Sequence, residues 1–242
     1  MSLQGFRAEL DQIDGELTRL FAERMAISEK VAVWKRENGA SVLDAAREQE
    51  KLRVIRNLLP EGLGGYGEAL YARILALSRA RQRLLLGENV ILIGMPGCGK
   101  TTVARALGEL LGCEALDCDE TIERSAGQRI PEIFAQRGEE GFRLLESEAL
   151  SRLCARRGCV IATGGGCVTR EENRALLRRS GAVVWLRREL DSLPAEGRPL
   201  SLQRGARELY AERAPLYERL ADITVANDAA VRDAALRIID AL

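Results

Sequence analysis

The sequence contains no histidine. This absence excludes the Ser–His and Cys–His nucleophile pairs and every zinc site that needs an imidazole ligand. Aromatic residues are also scarce, at 4% of the chain, which argues against the aromatic stacking platforms that bind single-stranded nucleic acid. No run of apolar residues reaches the length of roughly 18 that a membrane-spanning helix requires.

The chain has no net charge, because 36 Lys and Arg residues balance 36 Asp and Glu residues. We therefore expect neither a nucleic acid nor an anionic membrane surface as a partner. The six cysteines include no CxxC pair, and the N-terminus has no basic segment followed by an apolar run. These features predict free thiols and a cytoplasmic location.

The 242 residues divide into two regions with different patterns. Over residues 4 to 86, apolar residues recur at three- and four-residue steps, which predicts helices and no strands. We expect a long helix ending at Asn38-Gly39 and a second helix, opened by a capping box at Ser41 to Asp44, that runs to about Leu59. A third helix follows a turn with Pro60 and glycines at 62, 64, 65 and 67. The first helix is too long for the other two to cover, so we expect a homodimer.

From Asn89 onward, short apolar runs alternate with predicted helices. The runs are Val90–Ile93, Glu114–Leu116, Val160–Ala162, Val183–Leu186 and Ile223–Val225. Strands that alternate with helices indicate a parallel, doubly wound α/β sheet. The sequence thus predicts two domains, an all-α three-helix domain at residues 1–87 and an α/β domain with a parallel sheet at residues 88–242.

The segment from Gly94 to Thr101 matches the pattern GxxxxGK[ST] and lies between the first predicted strand and a helix. In this pattern the glycines let backbone N–H groups point at phosphate oxygens, the lysine reaches the terminal phosphates and the hydroxyl serves Mg²⁺. The residues expected to bind the nucleotide phosphates are Gly97, Cys98, Gly99, Lys100, Thr101 and Thr102.

Two further groups follow predicted strands. Asp117-Cys118-Asp119 ends the second strand, and Gly164-Gly165-Gly166 follows the third. Two carboxylates at this spacing can serve Mg²⁺ with one and orient an attacking hydroxyl with the other, although such a pair also occurs on ordinary surfaces.

Three arginine motifs complete the pattern: Arg143 within Gly141–Glu146, Arg198 within Gly197–Leu200, and Arg213 within Glu212–Tyr217. With the phosphate loop and the two groups above, residues 90–242 resemble shikimate kinase. The resemblance implies ATP-dependent phosphorylation of the 3-hydroxyl of shikimate. Paired arginines suit a carboxylate because their planar guanidinium groups form two hydrogen bonds at once.

The resemblance also implies roles for individual residues. Asp119 would be the base that engages the substrate hydroxyls, and Thr101 and Asp117 would serve Mg²⁺. Arg198 would come from a mobile lid over the site. The segment from Leu186 to Arg198 is shorter than is usual in the family, so we assign no adenine-binding residue. The residues implied in shikimate binding are Asp119, Arg143, Gly165, Gly166 and Arg213.

The helical region carries a second set of charged residues. Arg24 and Lys35 are eleven positions apart, which places them on one side of a helix with about 16 Å between them. Arg7 is about 25 Å from Arg24 along the same helix, so it can join such a site only from another chain. On the second helix Asp44, Arg47 and Glu48 share a face, and on the third Ser78 and Gln82 are one turn apart.

These eight residues, in this spacing, resemble the all-helical chorismate mutase over residues 3–86. The resemblance implies the rearrangement of chorismate to prephenate without any cofactor. It places Lys35 and Gln82 at the ether oxygen, where negative charge develops in the transition state. Arg24, Ser78 and the other chain's Arg7 would bind carboxylates, while Glu48 and the backbone at Asp44 would bind the ring hydroxyl; Arg47 also belongs to the implied site.

The leading hypothesis is therefore a bifunctional enzyme of aromatic amino-acid biosynthesis with shikimate, ATP and chorismate as substrates. Two alternatives remain at this point. The helical region could be a ligand-sensing or dimerising module without catalysis, although a sensor would not need Lys35 and Gln82. The kinase region could act on another small hydroxylated acid such as gluconate, against which the arginine and triple-glycine motifs argue.

Overall fold

The computed structural model describes residues 2–190 and 205–242. It separates the chain into two compact units, Met1–Leu86 and Gly87–Leu242.

Three helices form the first unit: α1 (Leu3–Glu37), α2 (Ala45–Leu58) and α3 (Gly64–Leu85). The predicted capping box at Ser41 is wrong, because the helix begins later and Asp44 is its N-cap. The Asp44 side chain accepts a hydrogen bond of 3.0 Å from the Arg47 N–H. The turn between α2 and α3 ends earlier than predicted, because α3 begins at Gly64 and so includes the glycines at 65 and 67. The glycine at 67 lets α3 approach Leu59, because a Cβ there would clash with the Leu59 side chain.

The apolar stripe of α1 has little cover within its own chain. Both α1 and α2 pack on α3, yet Leu10, Ile13 and Leu17 stay 57%, 53% and 55% exposed. Close packing begins only further along the helix, where Ser28 and Ala32 are buried. The first half of α1 therefore presents a continuous apolar surface.

A five-stranded parallel sheet forms the centre of the second unit. Its strands are β1 (Asn89–Ile93), β2 (Ala115–Asp117), β3 (Val160–Ala162), β4 (Gly181–Arg187) and β5 (Ile223–Ala226), in the spatial order β2-β3-β1-β4-β5. The central strand β1 pairs Val90 with Val160 of β3 and Asn89 with Gly181 of β4. It is buried along its whole length. The predicted combination of an all-α region with a parallel α/β region is confirmed.

Helices cover both faces of this sheet. They are α4 (Lys100–Leu111), α5 (Cys118–Ala126), α6 (Ile130–Ala155), α7 (Glu171–Ser180), α8 (Ala206–Leu220) and α9 (Val231–Ala241), with a short 3₁₀ turn at Cys167–Thr169. The motif Gly141–Glu146 lies inside α6, which begins at Ile130 and kinks at Gly138, where φ is +67°. Glycine adopts this left-handed conformation without a steric penalty, which lets the helix resume after the kink.

The carboxyl ends of the strands bring the predicted motifs together. The loop from Gly94 follows β1, Asp117 ends β2 and Gly164 follows β3. In a parallel sheet these ends lie at one edge, so the fold gathers three distant sequence segments around one cavity. None of the described helices is both long enough and apolar enough to cross a membrane.

Candidate active sites

A cavity of about 580 Å³ lies at the carboxyl edge of the sheet. Its walls include the loop before α4, the start of α5, the middle of α6, the turn after β3 and one face of α8. The predicted residues that line it are Gly97, Gly99, Lys100, Thr101, Thr102, Asp117, Asp119, Arg143, Gly165, Gly166 and Arg213. Cys98 belongs to the same loop but is fully buried behind it.

The loop from Gly94 to Thr101 curls around the first turn of α4. Gly97 and Gly99 have φ angles of +84° and +94°, which only glycine adopts easily. The Lys100 ammonium group donates hydrogen bonds of 2.9 Å and 3.0 Å to the carbonyls of Gly94 and Met95. Lys100 thus folds back across its own loop and keeps the ammonium group at the cavity wall.

Two oxygen-bearing side chains meet beside this loop. The Thr101 hydroxyl donates a 2.6 Å hydrogen bond to one oxygen of Asp117. The other carboxylate oxygen of Asp117 caps α5 by accepting a bond of 3.1 Å from the Glu120 N–H. Asp117 therefore has a fixed orientation, with one oxygen facing the phosphate loop.

Asp119 lies in the first turn of α5 and faces the open cavity. Water reaches its carboxylate through the cavity mouth, but protein atoms surround it on most other sides. This desolvation raises the pKa of Asp119 from 3.8 to about 6, and the nearby Asp117 adds to the rise while Lys100 opposes it. A carboxylate with this pKa is ionised at pH 7 and is still basic enough to accept a proton.

Arg143 and Glu146 form a buried ion pair on α6. The Arg143 Nη1 to Glu146 Oε2 distance is 2.8 Å, and the two residues are 5% and 0% exposed. Burial alone would lower the pKa of Arg143, but Glu146 and Glu139 raise it above its usual value. Burial raises the pKa of Glu146, and Arg143 opposes that rise. The pair holds the Arg143 guanidinium group charged at the cavity wall.

The turn of three glycines lies between the phosphate loop and this ion pair. A Cβ at Gly165 would lie 2.5 Å from Pro96, and a Cβ at Gly166 would clash with the Arg143 guanidinium group. Arg213 of α8 also lines the cavity; it is 2% exposed, and its Nε has no hydrogen-bond partner among the described residues. Two arginines and a backbone turn thus converge on one part of the cavity.

In the helical unit, Arg24 and Ser78 are in contact. Arg24 Nη1 donates a 2.6 Å hydrogen bond to the Ser78 hydroxyl, which donates in turn to the Ile74 carbonyl at 2.8 Å. Burial lowers the pKa of Arg24, while Tyr71 and Glu48 oppose this effect. The structure therefore brings together residues of α1 and α3 that are 54 positions apart.

The residues implied at the ether oxygen lie further along the same helices. The Gln82 amide nitrogen donates a 2.8 Å hydrogen bond to Ser28, and its oxygen is buried without a partner among the described residues. The half-buried Lys35 donates to the Val42 carbonyl at 2.5 Å. Glu48 forms an ion pair with Arg79, a residue that the sequence reasoning missed.

The other implied residues of this unit lie at its surface. Arg47 is exposed and pairs with Glu50 at 2.9 Å. Asp44 is occupied in capping α2. Arg7 is exposed near the start of α1, seventeen residues before Arg24.

The family model for shikimate kinase matches residues 96–242, which is more than half of the chain. The chain belongs to the shikimate kinase family. Residues 6–83 match the family model for chorismate mutase type II. Both family resemblances drawn from the motifs are therefore confirmed, and the alternative of a helical region without catalysis is not favoured.

Individual relatives agree with the kinase assignment. A shikimate kinase of Acinetobacter baumannii (strain AYE) is 41% identical over 149 residues, 57% of this chain and 83% of that protein. One of Bordetella avium (strain 197N) is 43% identical over 138 residues, 53% of this chain and 66% of that protein. The solved structure of an Acinetobacter baumannii shikimate kinase in complex with shikimate has a TM-score of 0.60 and 41% identity, covering 63% of this chain and 90% of its own. The solved structure of the shikimate kinase of Aquifex aeolicus has a TM-score of 0.57 and 31% identity, covering 63% of this chain and 95% of its own.

Several cavity residues were not assigned by the sequence reasoning. Glu146 lay inside a recognised motif without an assigned role, and Arg188 and Phe134 lay in no motif. Tyr217 was also in a motif without a role; it does not line the cavity but donates a hydrogen bond to the Gly165 carbonyl. Proximity to the cavity is the signal that identifies them, and it appears only after folding. Arg198, the implied lid residue, lies outside the described residues.

Proposed function

We propose that the chain catalyses two reactions, the ATP-dependent phosphorylation of shikimate and the rearrangement of chorismate to prephenate. The observation that carries the kinase proposal is the single cavity that collects a phosphate-binding loop, a carboxylate of raised pKa and two buried arginines. Incubating the purified chain with shikimate and MgATP, and separately with chorismate, tests the two activities.

In the kinase reaction the 3-hydroxyl oxygen of shikimate attacks the γ-phosphorus, and the bond to the ADP oxygen breaks. Asp119 accepts a hydrogen bond from the attacking hydroxyl and then its proton, for which a pKa of about 6 is suitable. Lys100 binds the transferred phosphoryl group once phosphate oxygens replace the loop carbonyls as its partners. Catalysis of this kind depends mainly on position and charge.

Arg143 and Arg213 bind the carboxylate of shikimate. Two observations support this role: Glu146 keeps Arg143 charged and oriented, and the Arg213 Nε is a buried donor that still lacks an acceptor. The N–H groups of Gly165 and Gly166 complete the binding site beside the hydroxyls. Arg198 remains the proposed lid arginine.

The donor set beside the loop fits Mg²⁺. Thr101 and Asp117 place a hydroxyl and a carboxylate oxygen 2.6 Å apart, and Mg²⁺ prefers oxygen ligands from one or two residues together with phosphates and water. Thr101 would bind the ion directly, and Asp117 would act through water. When bound, Mg²⁺ neutralises charge on the phosphate oxygens.

The mutase reaction uses no cofactor. The chain holds chorismate in a compact conformation by pairing its two carboxylates with cations, which lowers the entropic part of the barrier. Arg24 with Ser78 forms one such contact, and Lys35 with Gln82 stabilises the charge that develops on the ether oxygen. Glu48 and the backbone at Asp44 bind the ring hydroxyl of chorismate, and Arg47 lies on the same face of α2.

A homodimer completes the mutase site. The uncovered apolar stripe of α1, with Leu10, Ile13 and Leu17 more than half exposed, supports burial against a second copy. Arg7 on that segment lies too far from Arg24 to join it within one chain. We place the enzyme in the cytoplasm, in keeping with its free thiols.

A further inference from the structure

The hydroxyl of Tyr217 connects two walls of the kinase cavity. Tyr217 lies on α8, is fully buried, and packs its ring 5.8 Å from that of Trp185. Its hydroxyl donates a hydrogen bond to the carbonyl of Gly165, a residue 52 positions away. Arg213 precedes it by one helical turn and interacts with the same hydroxyl. The tyrosine therefore links the helix that bears the substrate arginine to the turn of three glycines.

The carbonyl that Tyr217 binds shares a peptide group with the N–H of Gly166. A trans peptide group is planar, so its C=O and N–H point in opposite directions. Fixing the Gly165 carbonyl toward Tyr217 therefore fixes the Gly166 N–H in the opposite direction.

The other carbonyls of this turn also have internal donors. The Gly164 carbonyl accepts from the Cys167 N–H at 3.3 Å. The Gly166 carbonyl accepts from the Thr169 N–H at 3.0 Å and from the Thr169 hydroxyl at 2.8 Å. In contrast, the N–H groups of Gly165 and Gly166 donate to no group within the part of the chain that the structure describes. The turn uses its carbonyls for its own structure and leaves two donors for a ligand.

A turn of glycines needs such a restraint. Glycine populates both signs of φ about equally, so the peptide group between Gly165 and Gly166 can reverse its direction without a side-chain clash of its own. A reversed group would present a carbonyl oxygen where a substrate oxygen must bind. The Tyr217 bond opposes this reversal, because reversal would leave a buried hydroxyl without its acceptor.

We propose that Tyr217 is a positioning residue for shikimate, which holds the Gly166 N–H in the direction that binds the substrate. The proposal rests on the kinase activity proposed above. It adds a determinant of substrate affinity that does not touch the substrate. Burial raises the pKa of Tyr217 well above its usual value although Arg213 opposes this, so the hydroxyl stays a neutral donor throughout the working pH range.

The test uses the full chain with Tyr217→Phe, which removes one oxygen and keeps the ring. We expect the KM for shikimate to rise by about five- to tenfold, the value of one hydrogen bond, while the KM for ATP and the chorismate mutase rate change less than about twofold. Tyr210→Phe, a half-buried tyrosine on the same helix, serves as the control for the substitution itself. Thr169→Val is the second control, because it removes a hydroxyl bond to the neighbouring carbonyl of the same turn; both controls should keep the wild-type KM for shikimate.

Several outcomes overturn the proposal. An unchanged KM for shikimate in Tyr217→Phe does so, as does an equal rise in the KM for ATP, which would indicate a general structural role. Should Tyr217→Phe fail to fold, the amide signal of Gly166 in the ¹⁵N-labelled wild type decides: it must shift on shikimate addition, and an unshifted signal refutes the proposal. Failure of the proposed kinase function is distinct, because the wild-type chain itself would then not phosphorylate shikimate.

Discussion

Replacing Arg143 with alanine removes the only cation that hydrogen-bonds the buried Glu146 carboxylate among the described residues. Glu146 is 0% exposed, one of its oxygens lies 2.8 Å from Arg143, and the other has no hydrogen-bond partner in the part of the chain that the structure describes. Breaking a buried ion pair from one side typically costs about 3 to 5 kcal/mol. For a unit of this size we expect the melting temperature of the kinase unit to fall by roughly 10 °C.

The same substitution removes a proposed ligand of the substrate carboxylate. A hydrogen bond to a charged group contributes about 1.5 to 3 kcal/mol, so the KM for shikimate should rise roughly ten- to hundredfold while the KM for ATP stays within about threefold. Stability and binding can be separated by the double variant Arg143→Ala with Glu146→Gln. Removing the stranded charge should recover most of the lost stability, but the KM for shikimate should stay high.

Urea unfolding measures the loss of stability, and initial-rate kinetics on the same preparations measure the KM values for shikimate and ATP. Arg152→Ala is the matched control, because Arg152 lies on the same helix, is 64% exposed and reaches Glu148 only at 4.0 Å. A free energy of unfolding for Arg143→Ala within about 0.5 kcal/mol of the wild-type value would contradict the structural role of the ion pair. A double variant with the wild-type KM for shikimate would contradict the proposed carboxylate contact.

Three further predictions concern the two sites. At saturating MgATP, kcat/KM for shikimate should fall about tenfold per pH unit below pH 6 as Asp119 takes up a proton, and a pH profile that stays flat down to pH 4 would contradict this. Lys100→Ala or Asp119→Asn should lower kinase activity about a hundredfold or more and leave chorismate turnover within about threefold; equal loss of both activities in a folded variant would disprove independent sites. Mixing Arg7→Ala with Lys35→Ala chains, tagged differently and purified as a mixed dimer, should restore one complete mutase site, because we propose that Arg7 acts across the dimer. A folded mixed dimer no faster than its parents would remove Arg7 from the partner's site.

The sequence predicts best what contiguous residues determine. The segment from Gly94 to Thr101 carries its own glycines, lysine and hydroxyl, so its structure and position follow from the pattern alone. The strands are also predicted to within about two residues, because each is a short apolar run between polar helices. The start of α2 could not be predicted in this way, because both Ser41 and Asp44 are suitable N-cap residues and only the bond from Asp44 to the backbone decides between them.

Properties that arise between distant segments lie beyond the sequence. The raised pKa of Asp119 depends on the cavity walls, Asp117 and Lys100, which folding brings together. The bond from Tyr217 to Gly165 spans 52 residues and has no local pattern. The role of Arg198 and any adenine contact between residues 191 and 204 fall outside the described residues.

The pairing of β1 has a consequence for synthesis of the chain. This apolar strand is the first of the sheet to be made, yet its partners are β3, which begins at Val160, and β4, which begins at Gly181. At 5 to 20 residues per second, translation from β1 to β3 takes about 4 to 14 s, and β4 follows later. During that interval the Val90 to Ile93 segment has neither neighbour, whereas the three helices that precede it are already complete. The nascent kinase unit therefore exposes its most apolar strand for seconds, and this is the period in which chaperone binding would matter most.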